Sequence, residues 1–73
     1  MLLSPDTYQE FMARLDYVEE LLNMGRRPYI TMAAVHFGAL GCDLDALVGN
    51  EGIHSVENTD FVERFTEIWK RFE

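Results

Sequence analysis

The chain has 73 residues, with six basic and thirteen acidic side chains, a formal charge of −7 and a pI near 4.6. That length holds one domain, and a domain of this size buries only about 60% of the surface its unfolded chain exposes, so it needs a well-used core, a staple or a partner chain. Cys42 is the only cysteine, which excludes an internal disulfide and a secreted disulfide scaffold.

The first helix is expected to start after Ser4, an N-cap residue followed by Pro5 at the first helical position and Asp6 in the first turn. Tyr8, Phe11, Met12, Leu15, Val18 and Leu22 then recur at helical spacing. Gly25 and Pro28 supply the stop, so the helix runs over 5–23, either unbroken or interrupted near Ala13–Asp16.

Tyr29 to Leu40 follows with little polar relief, and a helix that is apolar all round is normally buried. This segment is expected at the centre of the core, with Gly41 as its C-cap, and Asp43 then caps a short helix over 43–48 closed by Gly49. The run is about half the length that spans a bilayer, and the N-terminus lacks the basic region of a signal peptide. A cytoplasmic protein of a bacterial or phage-infected cell is therefore expected, with no membrane partner.

Residues 50–58 carry turn chemistry, with Ile53 and Val56 as anchors into the core. A last helix over 59–72 places Phe61, Phe65, Ile68 and Phe72 on one face, and pairs Asp60 with Arg64 and Glu67 with Arg71 at (i, i+4) on the other. The fold expected is all-α, a compact bundle of four or five short helices at 5–23, 29–40, 43–48 and 59–72, in a single domain over 1–73.

Charge is unevenly distributed: residues 1–24 carry −4, 25–42 carry +2, 43–59 carry −4 and 60–73 carry −1. Acid of this kind commonly solubilises; concentrated on a surface with an aromatic, it suits a basic partner. The residues expected to form such a protein-binding surface are Asp16, Tyr17, Glu19 and Glu20 on the first helix, with Asp43, Asp45 and Glu51. Tyr8 and Trp69 are expected to complete the core. No enzyme activity, cofactor or metal is expected. His36, Cys42 and His54 lack ligand spacing, and a lone cysteine between helices is more often a small buried side chain.

Gly25-Arg26-Arg27-Pro28, thirteen residues ending Ala39-Leu40-Gly41, and Cys42-Asp43-Leu44-Asp45-Ala46-Leu47-Val48-Gly49 resemble the second half of a lambda-repressor-like (Cro/repressor) helix-turn-helix domain, over residues 25–49. The resemblance implies a helical scaffold there and assigns phosphate contacts to Arg26 and Arg27. The helix that would read bases carries Asp16, Glu19 and Glu20, and carboxylates oppose contact with phosphates. Direct DNA binding is thus the alternative. The leading expectation is a non-enzymatic acidic module that binds a basic, nucleic-acid-handling protein, as small phage inhibitors and DNA mimics do, anti-CRISPR proteins among them. A homodimeric structural subunit is a second alternative.

Overall fold

A computed structural model describes all residues, 1–73, and contains three α-helices: α1 (Pro5–Asn23), α2 (Arg27–Val48) and α3 (Thr59–Arg71). Two 3-10 turns, Gly49–Glu51 and Ile53–Ser55, link α2 to α3. The all-α class is as expected; the count of four or five helices is corrected to three.

α1 is unbroken. Ser4 Oγ accepts from the Thr7 amide at 3.2 Å, and Gly25, at φ 70°, takes the left-handed conformation that lets the chain reverse. Arg14 on α1 meets Asp43 on α2 while Tyr17 meets His36, so the residue numbers run in opposite directions and the two helices are antiparallel. Tyr8 meets Asp60, Glu19 meets Arg64 and Asn23 meets Arg71, so α3 runs parallel to α1. The result is an up-down-up bundle 36 Å long.

The expected break between 29–40 and 43–48 is absent, because α2 passes straight through Gly41. Phe37, Leu40, Leu44 and Val48 form one buried stripe that crosses Gly41 without a change of face. Packing that stripe outweighs the roughly 1 kcal/mol that a mid-helix glycine costs. Asp43 therefore caps nothing and pairs with Arg14 at 2.7 Å instead. The helix stops at Gly49, whose φ of 61° and ψ of −136° suit only glycine. At Gly41 an added Cβ meets nothing within 4 Å, and its φ is not positive. Gly41→Ala is accordingly expected to stabilise the fold by about 0.5–1 kcal/mol, raising the melting temperature by several degrees in a circular-dichroism melt. A loss of stability would mean that the helix ends there.

The core joins one face of each helix with Leu3 and Val56. Val56 is buried and Ile53 half-buried, as expected of loop anchors. The N-terminus closes the lower end: the Leu3 amide donates to Asn58 Oδ1 at 2.9 Å, and the Glu57 amide donates to the Met1 carbonyl at 2.7 Å. Four phenylalanines run through the interior, Phe11 to Phe61 (ring centroids 5.9 Å apart), Phe61 to Phe65 (6.0 Å) and Phe65 to Phe37 (4.7 Å). Separations of this size suit offset and tilted ring packing.

Two further expectations are corrected. Trp69 does not complete the core; it stands 55% exposed with its ring against Phe37 and Phe65. The (i, i+4) pairs on α3 do not form either, since Arg64 reaches across to α1 and Arg71 donates to Asn23 Oδ1 at 3.0 Å. A basic side chain at a helix–helix seam finds partners on the neighbouring helix that hold it in place better than a flexible neighbour one turn away.

Candidate functional site

The acidic residues do not share one face. Asp16 and Glu19 lie on the α3 side of α1, where the Arg64 guanidinium binds both, Glu19 at 3.3 Å. Tyr17 lies on the other side of α1, with its ring edge-on to His36 of α2 at 5.0 Å and 84°. Glu20 projects between them, exposed and without an ion pair. Asp43 is held by Arg14, whereas Asp45 and Glu51 are exposed and unpaired at the lower end of α2. Three of the six carboxylates singled out by the sequence are thus balanced within the fold, and Glu20, Asp45 and Glu51 keep their charge free. Arg26 and Arg27, in the turn and at the start of α2, are exposed and form no ion pair.

A contact that the sequence did not suggest ties α1 to α3. The Tyr8 hydroxyl donates to Asp60 Oδ2. That bond, helped by the Phe61 amide, holds the Asp60 carboxyl below its ordinary 3.8, while the same bond raises the Tyr8 phenol above 10.0. A depressed carboxylate adds stability that is present above its unfolded pKa and is lost as pH falls through the folded value. A raised phenol adds stability that is present below its unfolded pKa and is lost as pH rises through the folded one. The tie is therefore intact from weak acid to about pH 10. Tyr8→Phe should return Asp60 to the ordinary aspartate range in a carboxyl NMR titration, and an unmoved midpoint would refute the contact.

The larger departure from expectation concerns α2. This most apolar helix buries only Ala33, Phe37, Leu40, Leu44 and Val48; it is not the enclosed centre of the core. Its opposite face carries Met32, Val35, Ala39, Cys42 and Ala46 into solvent, with Val35 at 66% exposure. Cys42, expected to be buried, is exposed on this face. From Pro28 to Cys42 there is no Asp, Glu, Lys or Arg. Beside this face an open groove of about 470 Å³ lies between α2 and α3, floored by Gly38 and Gly41 and walled by Trp69 and Phe72.

Because Gly41 does not end the helix, α2 together with the 3-10 turn that follows it spans 25 residues, Arg27–Glu51, with a mean hydropathy of 1.3 over its most apolar stretch. It is the one helix long and apolar enough to cross a membrane by length and composition, more than the Tyr29–Leu40 run suggested. Core helices of water-soluble proteins can meet the same criterion. His36, Cys42 and His54 are not brought together, and no group of three or more His, Cys, Asp or Glu side chains is placed to hold a metal ion.

Comparison with protein-family models, with characterised proteins and with solved structures yields no match.

Proposed function

We propose that this chain is a non-enzymatic protein-binding module that works by attachment, occluding a basic, nucleic-acid-handling protein in the cytoplasm of a bacterial or phage-infected cell. The observation that carries the reading is the uncovered, uncharged face of α2. Contiguous apolar surface of this kind on a small soluble domain marks an interaction site. The charge of −7 sets the sign of an outside partner. Glu20 on the outer face of α1 supports that part of the reading: it stands one turn from Asp16, where a like charge at (i, i+4) costs helix stability, and unlike Asp16 it has no ion pair in the fold to offset that cost.

The test is capture from host extract by the full chain, followed by measurement of nucleic-acid binding by the captured protein. A basic partner whose nucleic-acid binding is blocked, with affinity falling on added salt and on Glu20→Lys, supports the reading. Capture insensitive to both changes removes the electrostatic mechanism.

A second reading, a helix-turn-helix type regulator, is favoured by one feature: Arg26 and Arg27 are exposed and free of internal partners. It requires a duplex gel shift at physiological salt that is lost when both arginines are replaced by alanine. No shift even at low salt would remove it.

A further inference from the structure

We infer that the uncovered face of α2 is occupied by a second copy of this chain, packed antiparallel across a two-fold axis. The inference rests on the reading of that face as a contact surface, gives it a copy of the chain as occupant, and leaves the outer face of α1, with the exposed Glu20, to the basic partner.

The opposite charges at the two ends of the face, not the net charge, argue for a copy. Each chain carries −7, so two copies repel at long range. Residues 25–42 are the only segment with positive charge, +2, which makes this face the approach of least repulsion. The face is also electrically polar along its length. Arg26 and Arg27 stand at its upper end and Asp45 and Glu51 at its lower end, and none of the four has an ion pair within the chain. In a parallel pair, like ends would meet. In an antiparallel pair, each arginine end lies over the partner's acidic end.

The register follows from helix geometry. Arg27 and Asp45 are eighteen residues apart, about five whole turns and about 27 Å along the axis, so they share one edge of α2 and do not reach each other within a chain. A two-fold centred between Val35 and Gly38 preserves that edge. It places Arg27 within one residue of the level of the partner's Asp45 and Thr31 level with the partner's Cys42. The small residues Gly38 and Ala39 lie at the crossing, where they let two helix backbones approach closely, and the exposed Val35 packs beside them. A C2 contact of this kind uses the same patch twice and closes.

The experiment is sedimentation equilibrium of the full chain from micromolar to millimolar concentration, paired with cysteine crosslinking. The wild type should move from monomer to dimer, and Val35→Glu, at a position exposed in the monomer, should weaken dimerisation by at least about a hundredfold while keeping its helical signal. Arg27→Glu and Asp45→Lys should each weaken it about tenfold, and the two together should recover most of that loss, a rescue that only contact between copies provides. Under mild oxidation Thr31→Cys should link to native Cys42 as a covalent dimer, whereas the wild type should not link through Cys42 alone. A wild type that stays monomeric at millimolar concentration overturns the inference, as do linkage through Cys42 alone, which reports parallel packing, and binding to neutral lipid vesicles in place of dimerisation. If the chain stays monomeric yet Val35→Glu abolishes capture of the host partner, the face is a contact surface with a different occupant. If Val35→Glu changes neither, the reading of the face falls too.

Discussion

Phe61→Ala is expected to leave this protein close to unfolding at 25 °C. Phe61 is fully buried, and its ring links Phe11 of α1 to Phe65 of α3. Removing a core phenylalanine costs about 3–5 kcal/mol through lost transfer energy and the cavity left behind. A chain of this length has about 4–11 kcal/mol in total, and no disulfide supplements it. A thermal melt should shift down by at least about 12 °C, or show no cooperative transition at all. Phe72→Ala, at a half-buried position at the end of α3, is the control and should cost less than half as much. A Phe61 variant that loses under about 1 kcal/mol would show that α1 and α3 do not pack as described.

Arg64→Glu is expected to have the next largest effect on folding, and its size should depend on salt. Arg64 is mostly covered and binds both Asp16 and Glu19. Exposed pairs contribute only about 0.2–1 kcal/mol each, but the reversal also replaces two attractions with two repulsions along the α1–α3 seam. The net charge moves from −7 to −9. A loss of about 1–2 kcal/mol at low ionic strength is expected, shrinking as salt shortens the Debye length below about 10 Å. The measurement is urea unfolding at two salt concentrations. A loss that ignores salt would mean that Arg64 acts through the packing of its aliphatic stem and not through its charge.

These two substitutions separate what packing and charge each contribute. Phe61 belongs to a pattern legible in the sequence, because Phe61, Phe65, Ile68 and Phe72 recur at helical steps and predict which face of α3 turns inward. Arg64 belongs to a pattern that misleads. Its spacing from Asp60 suggests a pair along the helix, but Asp60 binds Tyr8 and Arg64 binds α1. Spacing along a chain shows which side chains can meet on one helix; it does not show that a neighbouring helix offers better-held partners.

The same limit applies to the candidate surface. Asp16, Tyr17, Glu19 and Glu20 are adjacent in sequence, yet the 3.6-residue turn sends Asp16 and Glu19 toward α3 and Tyr17 toward α2, so only Glu20 keeps a free charge facing solvent. The uncovered face of α2 is not legible in the composition. Apolar residues on all sides of a helix normally signal burial, and in this small bundle α1 and α3 cover only one side of it.

By itself the sequence determined the all-helical class, the bounds of α1 and α3 to within about a residue at each end, the stop at Gly25 and the anchoring by Val56. Those features depend on local chemistry: caps, glycine conformation and the period of the apolar pattern. Only the tertiary structure decided that α2 continues through Gly41, that Arg14 and Arg64 neutralise part of the acid, and that the most apolar helix carries an open face. Each of those depends on which other helix stands alongside. A continuous buried stripe outweighs a glycine, a cross-helix carboxylate displaces a local one, and two neighbours are too few to enclose a third helix.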